Sequence, residues 1–436
     1  MDLASSIKIL SEKVLTIPYI ILLLGSIIIT VKTKFIQFRL LPKMLKLFFK
    51  KTHNNKTNTD DIGAINSKHA LFTAISTSIG IGNLVGPIVA IKLGGPGALI
   101  WFIIAVLFGA ATIFAEVSLA VNYRQKLKNG GFAGGPMQYI KKAFSPFMAK
   151  IYGLCVALML LGWSASQANT LADILKNYKV PTFATGIFLT ILTLIYLIGG
   201  IKKIGELSAK IVPTMFILFC TISLWIIFSN TDRLADIFTL MFKSAFSPKA
   251  LTGASFGLLL RWAIAKGTQA SEAGVGTATI PHSMAQVDDP INQGILAMLS
   301  TYSVGFVCLL SGLVVLITNT INTNVPMGIN MLTKAFSMYA PDFIGNLILI
   351  LCTFLFAIGS IIGNSYNGSQ GFLYVTKNKY LNIYYIAMGI IIFLGSIFSV
   401  ELVWSVIDFF VIPTALINIF AVIYLLFKRQ DLFKKI

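Results

Sequence analysis

Two apolar stretches of the sequence carry glycines and small polar residues where a membrane helix needs an unbroken backbone. The first is TAISTSIGIGNLVGPIVAIKLGGP, residues 73–96, and the second is RWAIAKGTQASEAGVGTATIP, residues 261–281. Glycine and proline disfavour a continuous helix. In hydrocarbon, unpaired backbone groups survive only where they face protein or a polar cavity. We therefore expect the first helix to unwind near residues 78–83, which would offer N–H groups to an anion and carbonyl oxygens to a cation.

The two interrupted stretches lie about 190 residues apart and open corresponding halves of the chain. Paired segments interrupted by glycine or proline are typical of the midplane binding site of inverted-repeat transporters. The alternative is close helix packing, which small residues also permit. The pairing favours a binding site.

Polar residues near the first interruption are candidate ligands. Carbonyl oxygens near Ser76 and Ile79 could coordinate Na⁺. Asn83 could bind a ligand or cap the helix. Gln167 and Asn169, within WSASQAN, could join helices to one another; if it faces a cavity, Gln167 could instead reach a substrate amino or carboxyl group. The sequence leaves these alternatives open.

A stripe of small and polar residues lies in FLFAIGSIIGNSYNGS, residues 354–369. Gly359, Ser360, Gly363 and Asn364 share one helical face. The stripe could be a packing surface, or it could complete a cation site against the first interruption.

Charged residues inside apolar segments are functional candidates, because each costs roughly 2.5–3.5 kcal/mol at a helix centre. Arg261, Lys266 and Glu272 lie in or beside the second interruption. We favour pairing of Lys266 with Glu272 at its rim over a ligand role. Glu116 could pair with Arg124, two helical turns away, only through long side chains, so it is interpreted as a side chain that reaches cytoplasmic water. Asp408 receives no assignment.

The composition excludes several classes of protein. The chain has 436 residues, of which 56% are hydrophobic, so it is neither a soluble globular domain nor a disordered chain. Its four cysteines lack CxxC spacing and its three histidines are scattered. No disulfide framework, metal centre or catalytic arrangement is predicted. We attribute the net charge of +19 to Lys and Arg in the loops of a membrane protein, where they set its orientation, and not to nucleic-acid binding.

Segments of about 20 apolar residues, long enough to span a bilayer, would position the candidate ligands. We count eleven: 14–31, 70–91, 97–121, 147–175, 181–199, 207–229, 253–284, 291–317, 343–374, 381–399 and 402–427. Residues 230–252 and 318–342 are too polar to span and are expected to form interfacial or capping helices over a cavity mouth. Residues 50–61 are expected to be a solvated loop.

The basic residues predict the orientation in the plasma (inner) membrane. With the C-terminus inside, 24 Lys and Arg fall in inner segments and nine in outer segments. The positive-inside rule then places the N-terminus outside and the C-terminus in the cytoplasm.

Without the first span, the other ten spans divide into two groups of five with opposite topology. The predicted units are an N-terminal helix and basic connector (1–69), a first repeat (70–229), an extracellular connector (230–252), a second repeat (253–427) and a cytoplasmic tail (428–436).

Six motifs together resemble those of the alanine or glycine:cation symporter family. They are SIGIGNLVG…LGGPGALIWF (78–102), FAEVSLAVNYR (114–124), GGPMQYI (134–140), SQAN (166–169), RWAIAKG…SEAGVG (261–276) and FAIGSIIGNSYNGS (356–369), in the family's order. The resemblance implies an all-α, ten-helix leucine-transporter-type fold with one extra N-terminal helix. It also implies Na⁺-coupled, or sometimes H⁺-coupled, uptake of small neutral amino acids such as alanine or glycine.

The interruptions and the resemblance together give a set of candidate site residues. The expected substrate contacts are Ile79, Gly80, Ile81, Gly82, Asn83, Gln167, Ala270, Ser271 and Asn364. The expected Na⁺ ligands are Ser76, Ile79, Phe356 and Ser360. The expected partners are an amino acid, Na⁺ and membrane lipids. Neither a cofactor beyond the coupling ion, nor nucleic acid, nor an enzymatic activity is expected.

Departures from the family pattern predict a divergent member. Gln269-Ala270-Ser271 stands where the family usually has Phe-Ser-Asn, Gly359-Ser360 where it has Ser-Thr, and Asn364 where it has Trp. A roomier, more polar pocket would suit a slightly larger or more polar substrate. The loss of one hydroxyl would weaken the Na⁺ site, which leaves Na⁺-independent uniport or exchange, or proton coupling, as alternatives.

Overall fold

The fold is that of a computed structural model, which describes residues 3–50, 64–127, 131–246, 254–340, 342–398 and 400–434. Its helices are α1 (Leu3–Lys32), α2 (Ile36–Arg39), α3 (Leu41–Phe49), α4 (Ser67–Ser78), α5 (Ile81–Gly94), α6 (Ala98–Tyr123), α7 (Pro136–Ala143), α8 (Pro146–Lys176), α9 (Thr182–Ile198), α10 (Gly200–Phe228), α11 (Thr231–Phe246), α12 (Ala254–Ser271), α13 (Thr279–Ser283), α14 (Pro290–Ile317), α15 (Ile329–Ser337), α16 (Asp342–Val375), α17 (Leu381–Ile397), α18 (Val400–Lys428) and α19 (Gln430–Phe433). A short antiparallel pair, β1 (Gln125–Lys126) and β2 (Phe132–Ala133), follows α6.

Each of the eleven predicted spans coincides with a helix or with a broken pair of helices. Among the described residues, six helices are long and apolar enough to cross a membrane: α6, α8, α10, α14, α16 and α18. The pair α4–α5, bent by 48°, makes a seventh if it is one span. The apolar part of α1, together with α9 and α17, is shorter. The all-helical membrane fold is confirmed, and the count of eleven spans stays a prediction.

The first predicted break lies between α4 and α5. Asn66 begins α4, because its side chain accepts a hydrogen bond from the His69 N–H at 2.7 Å. Only Ile79 and Gly80 separate the two helices, and both have extended backbones. The location of the break is confirmed, but the break is narrower than the predicted 78–83.

Pro87 lies inside α5 without interrupting it. Proline has no N–H, so it leaves the carbonyl four residues earlier, that of Asn83, without its helical partner. Cys308 Sγ donates to the Asn83 carbonyl at 3.3 Å, and Ser311 Oγ donates to the Leu84 carbonyl at 2.6 Å. Cys308 of α14 therefore satisfies the carbonyl that proline leaves unpaired, and Ser311 adds a second contact between α14 and α5.

The second break separates α12, which ends at Ser271, from α13, which begins at Thr279. Glu272, Gly274 and Gly276 have positive φ angles of 52°, 88° and 92°. Glycine adopts this left-handed conformation at little cost. The two glycines of SEAGVG therefore explain why the helix stops here.

The two broken helices contact each other at both the break and one end. Asn83 Nδ2 donates to the Ala270 carbonyl at 3.2 Å. The chain just before α4 pairs with the chain just after α13: the Ile65 N–H donates to the Met284 carbonyl at 3.1 Å, and the Gln286 N–H donates to the Ile65 carbonyl at 2.8 Å. Backbone atoms alone form this end link.

The polar connectors are partly described. Residues 51–63, which include most of the predicted loop, lie outside the described residues. The predicted interfacial segment 230–252 contains α11, and 318–342 contains a 3₁₀ turn and α15. The described residues of the two segments do not line the cavity at the first break. Their placement over its mouth stays a prediction.

Candidate functional site

A cavity of about 120 Å³ lies at the first break, between α4, α5, α8, α12 and α16. Its lining is mostly small and polar: Thr77, Ser78, Gly80, Gly82, Asn83, Val85, Gly86, Val89, Trp163, Ser166, Gln167, Lys266, Gln269, Ala270, Glu272, Ser360 and Asn364. An apolar cavity of about 150 Å³ accommodates benzene, whereas drug-sized ligands occupy roughly 300 Å³ or more. The cavity therefore suits a ligand of about six non-hydrogen atoms.

The cavity brings together most of the residues that the sequence predicted. Those in its lining are Gly80, Gly82, Asn83, Gln167, Ala270, Asn364 and the predicted cation ligand Ser360. Those buried beside it, outside the lining, are Ile79, Ile81, Ser271, Ser76 and Phe356. Ser271 Oγ turns back to the Thr268 carbonyl at 3.1 Å, and the Phe356 ring packs edge-on against Phe219. For these five residues, the structure shows no side-chain contact with the cavity.

The start of α5 lies beside the cavity and has backbone donors without helical partners. The Ile81 N–H donates to Gln167 Oε1 at 2.9 Å, and the Asn83 N–H donates to the Gly80 carbonyl at 3.0 Å. Among the described residues, the Gly82 N–H between them has no partner. A side chain at Gly82 would meet no atom within 4 Å of its Cβ position. The N-terminus of α5 therefore has a donor, open space and a favourable dipole for an anionic group.

The Asn83 side chain caps the helix. Its Oδ1 accepts a hydrogen bond from the Gly80 N–H at 3.4 Å, while its Nδ2 donates to the Ala270 carbonyl. These contacts favour the capping interpretation, and they place Asn83 between the two broken helices.

Gln167 and Asn169 differ in surroundings although both lie in α8. Gln167 lines the cavity and bonds to the first break. Asn169 Nδ2 donates to the carbonyls of Gly395 and Phe398 at 2.9 and 2.6 Å. Asn169 therefore joins α8 to α17, whereas Gln167 belongs to the cavity.

Replacing Gln167 by Ala should weaken substrate affinity about tenfold and Na⁺ affinity much less. The change removes a polar group of the cavity and leaves the Ile81 N–H without its acceptor. Half-saturation by substrate and by Na⁺, measured separately in uptake assays, checks this. Asn169→Ala is the matched control, and it should lower thermal stability without this selectivity. Equal losses of both affinities in Gln167→Ala would indicate a structural role.

Oxygen atoms from α4 and α16 face one another beside the cavity. Ser360 Oγ donates to the Thr77 carbonyl at 3.1 Å and accepts from Asn364 Nδ2 at 3.4 Å. Ser76 Oγ and Asn364 Oδ1 are buried and have no partner among the described residues. Buried oxygens without partners are costly unless a ligand satisfies them. These four residues are the candidate cation site.

Gly359 and Gly363 allow α16 to approach α4 closely. A side chain at Gly359 would collide with Ser76 Oγ, and one at Gly363 would collide with Thr77 Oγ1. The Ser76 hydroxyl thus occupies the space that a residue at 359 would need. The small-polar stripe is therefore a packing surface and also borders the candidate cation site.

Gly359→Ser should destabilise the protein by about 1–3 kcal/mol through overpacking against Ser76. Adding Ser76→Gly should recover most of that loss, because it removes the colliding hydroxyl. A double-mutant cycle of thermal unfolding should give a coupling of about 1 kcal/mol or more. Additive single effects would contradict the complementarity of positions 76 and 359.

The charged residues of the second interruption have separate contacts. Lys266 Nζ donates to Gln269 Oε1 at 3.3 Å, and Thr277 Oγ1 donates to Glu272 Oε2. Lys266, Gln269 and Glu272 all line the cavity, although none was a predicted site residue. The side chains of Arg261 and Asp408 lie outside the described part of the structure.

The interpretation of Glu116 as a side chain that reaches water is wrong. It is 0% exposed. Its Oε1 accepts hydrogen bonds from the Gly274 N–H at 3.0 Å and from Asn418 Nδ2. Asn418 Nδ2 also donates to the Gly274 carbonyl at 2.8 Å, and Tyr139 donates to Asn418 Oδ1. Sequence reasoning missed this network at the second break; polar residues inside apolar helices were the available signal.

Arg124 lies just beyond α6 and holds the chain that follows α13. Its guanidinium donates to the carbonyls of Ser283 at 3.0 Å, Val287 at 2.8 Å and Ala285, and it stacks on the Phe132 ring at 3.8 Å. Burial lowers the pKa of Arg124 to about 10. The group therefore stays charged at neutral pH.

The arrangement of helices is similar to that of solved transporters. The structure of a Na⁺-coupled sialic acid symporter matches with a TM-score of 0.61 at 15% identity, covering 90% of this chain and 86% of that chain. The structure of MhsT in complex with L-phenylalanine matches with a TM-score of 0.62 at 13% identity, covering 82% and 88%. The protein is thus a multi-pass membrane protein with a leucine-transporter-type fold.

The sequence relates the chain to one family of transporters. The model of the sodium:alanine symporter family matches residues 2–435. The sodium/alanine symporter AgcS of Methanococcus maripaludis is 36% identical over 408 residues, covering 90% of this chain and 88% of the relative. The amino-acid carrier protein AlsT of Bacillus subtilis is 30% identical over 417 residues, covering 93% and 85%. The chain belongs to the sodium:alanine symporter family, so it is a transporter and not an enzyme.

Proposed function

We propose that the protein carries a small neutral amino acid together with Na⁺ across the plasma membrane by alternating access. The observation that carries this proposal is the position of Gly82, in the first turn of α5, in the lining of a cavity of about 120 Å³, with open space where a side chain would lie. The substrate carboxylate would bind this helix terminus. Gln167 and the carbonyl-rich end of α4 would surround its amino group. Family membership supports amino-acid symport.

The proposed Na⁺ site consists of the oxygens of Ser76, Thr77, Ser360 and Asn364. Ser76 Oγ and Asn364 Oδ1 support it, because both are buried acceptors without partners among the described residues. The predicted carbonyl ligands of Ile79 and Phe356 remain part of the proposal. Na⁺ entry supplies roughly 2.3 kcal/mol per 100 mV of membrane potential, which is sufficient for about fiftyfold accumulation of substrate.

The membrane topology is also proposed. Eleven spans would place the N-terminus outside and the C-terminus in the cytoplasm, with the repeats 70–229 and 253–427 in opposite orientations. The positive-inside distribution of Lys and Arg supports this arrangement. So does the position of a broken helix at the start of each repeat.

A second candidate is a slightly larger or more polar substrate. Lys266 and Gln269 place polar groups in the cavity lining. They could bind an acceptor on the substrate side chain. A probable sodium/glutamine symporter, GlnT of Bacillus subtilis, is 28% identical over 411 residues, covering 93% of this chain and 84% of the relative.

Uptake into proteoliposomes tests both candidates. Labelled alanine, glycine, serine and glutamine are offered with and without an inward Na⁺ gradient. Accumulation that requires Na⁺ supports the symporter, and the preferred substrate decides between the two candidates. Equal uptake without Na⁺ would overturn the cation site and favour a uniporter or exchanger.

A further inference from the structure

Glu116 is a buried carboxyl group that the proposed substrate and cation sites do not use. It lies seven residues before the end of α6 and is fully buried. Both of its hydrogen bonds, from the Gly274 N–H and from Asn418 Nδ2, go to Oε1. Its Oε2 is buried and has no partner among the described residues. The carboxyl group therefore has one oxygen available for a further ligand.

Among the described residues, no positively charged group bonds to Glu116. Its two hydrogen-bond donors are neutral amides, and a second buried carboxyl, that of Glu272, lies in the same break, two residues before Gly274. Tyr139 on α7 and Tyr152 on α8 face the same network, and both donate to oxygen acceptors, Tyr139 to Asn418 and Tyr152 to the Val275 carbonyl at 2.7 Å.

Three further titratable groups on α12, α13 and α14, which pack against α6, have contacts of their own. His282 on α13 bonds to Gln293. Lys266 on α12 bonds to Gln269 at the cavity, and Tyr302 on α14 donates to the Gln37 carbonyl. None of these bonds reaches Glu116.

Burying an ionised carboxylate without a positively charged partner is unfavourable in free energy. Removing one from water costs several kcal/mol even after the protein relaxes, and a second carboxyl nearby raises the cost. A proton on Glu116 removes that cost and keeps Oε1 available to both donors. We propose that Glu116 is a proton-binding site of the transport cycle, loaded in the arrangement seen here and unloaded when the second break rearranges and admits water.

The geometry ties proton binding to the conformation of the second break. Gly274 uses both of its backbone groups in the network: its N–H donates to Glu116, and its carbonyl accepts from Asn418. The break cannot move at Gly274 without changing the surroundings of the carboxyl group. Proton affinity and the position of the break are therefore linked, and the linkage is reciprocal. The hydrogen-bond network of Glu116, Gly274 and Asn418 therefore needs the proton, because a charged Glu116 would return to this buried position only at a large cost in free energy.

Infrared spectroscopy of the purified protein tests the proton site without any transported substrate. A protonated buried carboxyl gives its own C=O band. We expect a band that disappears as pH rises, that is absent in Glu116→Gln and that persists in Glu272→Gln. Glu116→Asp, which keeps a titratable group, should retain a band at a shifted frequency. A band lost only in Glu272→Gln, or no titrating band in the wild type, would overturn the proposal.

The uptake experiment adds a readout that a merely structural Glu116 would not change. Wild-type uptake should fall as pH rises, by up to about tenfold per unit once Glu116 loses its proton. Glu116→Gln, a permanently neutral analogue with the same acceptor oxygen, should vary less than about twofold over that range. A wild-type pH profile in Glu116→Gln would overturn the proposal. The uptake measurement rests on the proposed transport function. If the wild type transports nothing, the proposed function is contradicted, but the infrared measurement still decides whether Glu116 binds a proton.

Discussion

Gly82→Leu should abolish substrate binding and leave the protein folded. Apart from the backbone of its own helix, no atom lies within 4 Å of a Cβ at this position, and Gly82 lines the cavity, so we expect the cavity to accommodate the leucine side chain. It would fill much of a volume of about 120 Å³ and cover the Gly82 N–H. We expect affinity to fall about a hundredfold or more. Equilibrium binding of labelled alanine to the purified protein, with thermal unfolding in parallel, checks both parts of the expectation.

Gly86→Ala is the matched control for Gly82→Leu. It lies one turn further along α5, where a Cβ would make only an ordinary contact of 3.9 Å with the Phe102 ring. It should change affinity less than about threefold. Wild-type affinity in Gly82→Leu would contradict the site, and a collapse of thermal stability in that variant would contradict the open space at Gly82.

Arg124→Ala should destabilise the protein by about 3 kcal/mol and lower Tm by about 3 °C. The change leaves three carbonyls, at the end of α13 and just beyond it, without their charged donor. Transport should fall at least tenfold, because the end of the second broken helix loses its attachment to α6. Arg124→Lys should recover little of this, since one ammonium cannot reach all three carbonyls in the planar geometry of a guanidinium. Thermal unfolding and uptake are measured on the same preparations.

Arg429→Ala provides the comparison for Arg124. The Arg429–Asp431 salt bridge of 2.8 Å lies on the surface, and surface pairs contribute roughly 0–1 kcal/mol. Its loss should lower Tm by less than about 2 °C. A similar loss of stability in the Arg124 and Arg429 variants would show that the hydrogen bonds from Arg124 do not stabilise the end of α13.

The location of both breaks followed from local chemistry. Glycines clustered at 80–82 and 274–276 disfavour a helix wherever it is, and the sequence shows them directly. The continuity of α5 through Pro87 did not follow in this way, because the Asn83 carbonyl that proline leaves unpaired accepts a hydrogen bond from Cys308. Partners more than 200 residues away leave no local pattern.

The cavity was predicted in part for the same reason. Gly80, Gly82 and Asn83 were found because they lie at the break, and Gln167 because a polar side chain stands out in an apolar helix. Glu116 was misplaced because its partners, Gly274 and Asn418, are 158 and 302 residues distant. Without them, a carboxyl two turns from a helix end is more simply explained as reaching water.

The link between Ile65 and the chain after α13 has a consequence for how relatives of this protein can vary. Its two hydrogen bonds join the Ile65 backbone to Met284 and Gln286. Because no side chain takes part in these bonds, Gln286 can vary, and Ile65 and Met284 can be exchanged for other apolar residues that fill their buried positions, while these two ends of the broken helices remain joined. Proline is the exception at 65 and 286, because it lacks the N–H that each of these positions contributes. A lineage that acquired proline at either position would have one bond fewer between the two helices.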